Sequence, residues 1–243
     1  MGQLDGKIAI VTGGGTGIGK GIARAYAREG ATLVLASRNV SNLEATAEEL
    51  RLQDAKTLVV PTDVTDEDQV VHLFDRTVRE LGRLDILVNN SGVFHGGPLE
   101  ELSLDTWRKV LDVNLTGVFL CSREAMKIMK RQRQGRIINI GSVSSQMPRM
   151  DSVPYVTTKY GLTGLTRATA LEGREFGVAA SCLHSGNVET ERRVMGTSAR
   201  DQEAMMSPDD LAMAALTIAA LPPYVNMLES IVLPVTMPYL GRG

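Results

Sequence analysis

Tyr155 and Lys159 stand four residues apart in the run Tyr155-Val156-Thr157-Thr158-Lys159, a spacing that puts both side chains on one face of a helix. A phenol is a poor base near neutral pH. A cation about 5 Å away at an effective dielectric of ~20 favours its phenolate by roughly 3 kcal/mol. Such a pair can give a proton to a carbonyl oxygen or take one from an alcohol. The same spacing also arises on amphipathic helices that carry no chemistry. Ser142 follows the apolar run 137–140, and its hydroxyl can hydrogen-bond a substrate oxygen. Asn114 falls inside a helical stretch, where it either occupies a polar face or anchors a water leading toward Lys159.

A second cluster, Thr12-Gly13-Gly14-Gly15-Thr16-Gly17-Ile18-Gly19, follows an apolar run and opens a helical one. Glycines allow a tight turn and close approach of a pyrophosphate to the backbone, while the helix N-terminus favours the anion. The alternative is that they merely turn the chain. The strand-before, helix-after context points to a dinucleotide held by Gly13, Thr16, Gly17, Ile18 and Gly19. A Walker-type loop is excluded, because the Gly-Lys-Ser/Thr ending is absent. Some 20 residues on, where an NAD site carries a carboxylate, the chain reads Ser37-Arg38-Asn39. Without that carboxylate, Arg38 can pair with a 2′-phosphate, so NADP(H) is expected over NAD(H). Read blandly, Arg38 is a solvated surface charge.

The elements that must position these groups alternate. Apolar, mostly β-branched runs at 8–11, 32–35, 57–60, 86–88, 137–140, 178–183 and 231–235 read as strands. Stretches of helical period at 18–28, 43–52, 68–81, 107–129 and 155–176 lie between most of them. This is the pattern of an α/β, doubly wound Rossmann-type domain, with a mainly parallel seven-stranded sheet and helices on both faces. Ligands in that fold bind beyond the carboxyl ends of the strands. With no repeat and no linker, residues 1–243 read as one domain. The least regular segment, 188–208, reads equally as a lid over a substrate or as a surface loop.

Composition narrows the function class. With 26 Lys+Arg against 28 Asp+Glu, the chain has no charge bias toward nucleic acid or an anionic membrane. Cys121 and Cys182 have no CxxC spacing, so neither a disulfide framework nor a zinc knuckle is expected and a reducing, cytoplasmic compartment fits. No apolar run reaches spanning length, and no secretory leader is read at the N-terminus. His72, His95 and His184 show no ligand spacing, so no metal is expected.

Taken together, these residues resemble the short-chain dehydrogenase/reductase family over nearly the whole chain. The resemblance rests on the Thr12 to Gly19 turn, Asp63-Val64, Asn89-Asn90-Ser91-Gly92, Asn114, Ser142 and Tyr155 with Lys159, in the family's order. It implies that Tyr155 is the acid/base, that Ser142 orients the carbonyl and that Asn114 supports a proton relay. Lys159 would bind the nicotinamide ribose and stabilise the phenolate. Asp63 and Val64 would contact adenine, Asn90, Ser91 and Gly92 the middle of the cofactor, and Gly186, Val188 and Thr190 its nicotinamide end. A homotetramer or homodimer through the 107–129 and 155–176 helices is implied as well. Two departures stand out. Ser91 replaces the family's Ala, and Ser185 replaces the Pro before Gly186, which would loosen the backbone there.

The function expected is hydride transfer between nicotinamide and a small carbonyl compound or alcohol, with a 3-oxoacyl thioester reductase and a general ketone or secondary-alcohol enzyme as equal choices. The alternative from another class is a catalytically silent dinucleotide-binding regulatory protein. An epimerase or dehydratase is disfavoured because it needs an extra substrate domain. Phe94, His95, Val143, Gln146, Met147, Pro148 and Met150 are the expected pocket walls beside the 188–208 segment.

Overall fold

In a computed structural model, residues 2–191 and 203–239 are described. Seven parallel strands form the sheet: β1 (Ile8–Thr12), β2 (Thr32–Ser37), β3 (Thr57–Pro61), β4 (Ile86–Asn89), β5 (Gly135–Ile140), β6 (Val178–Ser185) and β7 (Glu229–Val232). Their order is β3-β2-β1-β4-β5-β6-β7. Helices α1 (Gly17–Arg28), α2 (Val40–Arg51), α3 (Glu67–Leu81), α4 (Leu104–Leu111), α5 (Gly117–Gln132), α6 (Val153–Gly173) and α7 (Pro208–Ala220) connect them.

The continuous apolar strands are explained by burial on both faces. Along β1, Ala9 and Val11 join a core formed with α1, α2 and α7, while Ile8 and Ile10 join a second core formed with α3 and α5. The same period-2 division recurs in β2, where Leu33 and Leu35 face the first core and Val34 and Ala36 the second.

The order reverses beside β1, which pairs with both β2 and β4. The turn after β1 and the Asn90-Ser91-Gly92 turn after β4 therefore emerge together at the carboxyl edge, with Ser142 after β5 and Gly186 after β6 along the same edge. At the opposite edge, buried Arg136 donates from Nη2 to the carbonyls of Leu221, Pro222 and Val225, at 3.2, 3.3 and 3.1 Å. It fixes the turn that feeds β7.

Some element bounds differ from the sequence reading. The last strand is Glu229–Val232 rather than 231–235. Glu229 is held by Arg167 at 2.7 Å, and Pro234 has no N–H to extend the ladder. Helix α2 starts at Val40 because the Asn39 side chain caps it, accepting from the Asn42 N–H at 3.0 Å. The 107–129 stretch resolves into α4, a π-helical turn Asp112–Thr116 and α5.

Candidate active site

The glycine-rich turn is shaped by local constraint. Gly17 adopts φ +50, and a side chain at Gly19 would place its first carbon 2.3 Å from the Gly13 carbonyl oxygen. Thr12 Oγ1 accepts the N–H groups of Asn90 and Ser91 at 3.0 and 3.1 Å, and Asn90 Nδ2 donates back to the Thr12 carbonyl at 3.0 Å. These bonds clamp the two turns to each other. They use the backbone of Ser91, so the Ala-to-Ser departure leaves the turn intact.

Helices α2, α3, α4 and α7 begin under side-chain caps from Asn39, Asp66, Ser103 and Ser207. Helix α1 does not. Its N-cap Thr16 makes no side-chain cap bond, and no acidic residue lies in its first turn. Uncapped N–H groups at a dipole's positive end suit a pyrophosphate, so these residues fit a dinucleotide.

Where the adenosine end is expected, Arg38 Nη1 lies 3.7 Å from Asp63 Oδ2, with the Arg38 side chain 63% exposed. The other Asp63 oxygen accepts from the Thr65 N–H and hydroxyl. Val64 is buried. Asn39 is committed through its side chain to capping α2, with Ser41 as a further donor at 2.7 Å. Ser37 donates to the Asn39 carbonyl at 3.5 Å.

Tyr155 and Lys159 share a face of α6. Lys159 Nζ is buried, donates to the Ile140 carbonyl at 2.8 Å and lies 5.5 Å from the centroid of the Tyr155 ring. The Phe94 ring meets Tyr155 edge-on, centroids 5.1 Å apart. Ser142 Oγ accepts from the Ser144 N–H at 3.1 Å, leaving its own hydrogen to donate. Asn114 sits in the π-helical turn, and both ends of its carboxamide engage the Val93 backbone, at 2.8 and 2.9 Å. Nδ2 also approaches Thr158 Oγ1 at 3.4 Å.

Beside Gly186, expected at the nicotinamide end, the Ser185 backbone is paired within the sheet. Ser185 continues β6 in register with Val232, and the Gly186 N–H donates to the Val232 carbonyl at 2.8 Å. Val188 pairs with Met206, and Thr190 Cγ2 would stand 3.1 Å from a side-chain carbon added at Gly17. Of the expected substrate segment, 192–202 lies outside the described residues.

Sequence reasoning missed several neighbours. Arg149 donates to Asn187 and Glu203, at 3.2 and 3.0 Å, beside the Ser142 loop. Met237 and Tyr239 join Val143, Met147 and Arg149 around a recess. The Tyr239 hydroxyl donates to Gln146 Oε1. His184 lies directly beneath Ser142, at 3.1 Å from its carbonyl oxygen; inside an all-buried strand no periodicity could have singled it out. A larger cavity, about 200 Å³, lies at the opposite edge beside Lys7, Asp85, Arg136 and Pro222. The glycine-rich turn and Tyr155 are not among its walls.

Comparison with known proteins agrees with this geometry. The family model described as short chain dehydrogenase matches residues 7–202. The chain belongs to the short-chain dehydrogenase family. It is accordingly an oxidoreductase of the NAD(P)-dependent type acting on CH–OH or C=O groups. An L-fucose dehydrogenase from Bos taurus is 38% identical over 187 residues, 76% of this chain and 67% of the relative. A solved structure of a putative gluconate dehydrogenase from Agrobacterium tumefaciens superposes with a TM-score of 0.89 at 32% identity, covering 94% of this chain and 95% of that one. A metagenomic short-chain oxidoreductase in complex with NADP gives a TM-score of 0.84 at 30% identity, with 96% and 98% covered.

Among the described residues, no helix is long and apolar enough to cross a membrane.

Proposed function

We propose that this short-chain dehydrogenase is an NADP(H)-preferring enzyme interconverting a carbonyl and a secondary alcohol, with Tyr155 as the acid/base. The observation that carries the reading is the Lys159 ammonium, buried, tethered to the Ile140 carbonyl at 2.8 Å and 5.5 Å from the Tyr155 ring. Ser142 donates its hydroxyl hydrogen to the substrate oxygen and fixes it. Tyr155 gives that oxygen a proton in reduction and takes one in oxidation. The bound dinucleotide supplies or accepts the hydride. Gly13, Thr16, Gly17, Ile18 and Gly19 hold its pyrophosphate, Asn90, Ser91 and Gly92 its middle, and Gly186, Val188 and Thr190 its nicotinamide end.

The preference for NADP(H) rests on Arg38. Its pair with Asp63 is long and largely solvated, a class of contact worth about 0–1 kcal/mol, so a 2′-phosphate can draw the guanidinium away. The residues also bear on the silent-binder alternative: a protein without chemistry has no use for a buried ammonium beside an acid/base phenol. We further assign the chain to the cytoplasm, where its two buried free cysteines suit a reducing medium. A homotetramer or homodimer is proposed from exposed apolar groups on α5 and α6, Phe119 and Leu171 among them.

The test is a screen of ketones, 3-oxoacyl thioesters, sugars and aldonates with each coenzyme, following nicotinamide absorbance. NADPH-linked turnover of at least one class is expected. Tight NADPH binding with no turnover across the panel would favour the regulatory alternative.

A further inference from the structure

The imidazole of His184 is 1% exposed and lies under the Ser142 loop. Its Nδ1 is 3.1 Å from the Ser142 carbonyl oxygen and 3.0 Å from Ser145 Oγ, while Ser145 Oγ donates to that same carbonyl at 2.8 Å. A carbonyl only accepts, so its contact with Nδ1 calls for a hydrogen on the ring nitrogen, and Ser145 Oγ can then accept or donate in the same cluster. Nε2 is left as a buried acceptor without a partner among the described residues. The fit around the ring is tight: a side-chain carbon at Gly141 would sit 2.6 Å from Nδ1 and 2.8 Å from Cys182 Sγ. Gly141, between β5 and Ser142, thus leaves the space the imidazole fills.

We propose that His184 is a positioning residue for the reaction: a neutral Nδ1–H imidazole that holds the Ser142 carbonyl and thereby sets the aim of the Ser142 hydroxyl. The inference rests on the reading of Ser142 as the group that orients the substrate oxygen. The peptide following Ser142 is gripped at its oxygen by three donor groups, the His184 imidazole and the hydroxyl and backbone N–H of Ser145, the last at 3.0 Å. Its tilt decides where Oγ points, and a small misdirection of a group that orients substrate costs turnover rather than folding.

Two experiments test it. Long-range proton–nitrogen NMR reads the tautomer directly, and with only three histidines, His72, His95 and His184, loss of one spin system in His184→Asn assigns the resonance. An Nδ1–H tautomer is expected at neutral pH; an Nε2–H tautomer overturns the proposal. In kinetics with the best ketone of the panel, His184→Leu removes the donor and is expected to lower kcat roughly 10- to 100-fold with NADPH affinity unchanged. His184→Asn, whose amide reaches the Nδ1 position, restores most of that loss. Equal kcat in the two variants at matched thermal stability, or a parallel loss of NADPH binding, overturns it. Should His184→Leu not fold, His184→Gln serves in its place, since its longer amide reaches toward Nε2 instead. A wild-type chain that reduces nothing sinks the reductase reading and this role with it, and the NMR result then still reports whether the imidazole donates to Ser142.

Discussion

The Asn114 carboxamide closes on the Val93 backbone from both sides, accepting its N–H at 2.8 Å and donating to its carbonyl at 2.9 Å. The next residue, Phe94, packs edge-on against Tyr155. A side chain in a π-helical turn thus fixes the loop after β4 that walls the proposed acid/base. Asn114→Ala leaves both Val93 groups without their partner, at a cost of about 1–3 kcal/mol, read as a lowered denaturant midpoint. A variant as stable as the parent would mean that water replaces the carboxamide without loss.

Tyr155→Phe deletes one oxygen. Turnover is expected to fall about 100- to 10,000-fold, the range of a lost general acid/base. NADPH affinity, measured by fluorescence titration, stays within a few-fold. A variant retaining a tenth of the parental rate removes Tyr155 from the chemistry.

Arg38→Gln probes the coenzyme end. Losing a charge-assisted bond worth about 1.5–3 kcal/mol weakens NADPH binding by roughly 10- to 150-fold and leaves NADH nearly unchanged. Equal losses for both coenzymes would assign Arg38 to general stability instead.

Ser207 caps α7 in a reciprocal box with Asp210, and Pro208 of that helix abuts Gly21 of α1. Ser207→Ala is expected to destabilise the fold by ~1 kcal/mol, visible in thermal or urea unfolding.

Burial holds the His184 imidazole below its ordinary value of 6.5; Lys159 and Arg167 act in the same direction, and the Ser142 backbone bond and Glu229 oppose it. As the pH drops below 6.5 the unfolded chain takes up a proton that the folded chain refuses, so the unfolded state gains and stability falls. Relative to His184→Asn, the parent is expected to lose up to about 1.4 kcal/mol per pH unit below that point. Urea titrations at a series of pH values check this; parallel curves for the two proteins contradict it.

Much of this was legible in the chain because the signals are local. Glycines between a β-branched run and a helical run can be read without neighbours, as can Tyr155 and Lys159 one turn apart. The alternation of elements carried the sheet, since strands buried on both faces announce themselves as unbroken apolar runs. What stayed hidden depends on contacts distant in sequence. That the Asn39 side chain caps α2 depends on the helix start, which its composition does not mark. The π-helical turn around Asn114 has the same composition as regular helix. The register of β7 is set by Arg167 and the Arg136-anchored turn, and neither lies in the strand. His184 was read only as a histidine without metal-ligand spacing, because its partner Ser142 is 42 residues away.

Arg136 gives the molecule a lever. Its guanidinium grips three carbonyls at the amino edge of the sheet, the turn so held launches β7, and β7 in turn pins Gly186 at the other edge through Val232. In the proposed coenzyme site, the placement of Gly186 is thus tied, through β7, to a turn anchored at the opposite edge of the sheet, one strand length away.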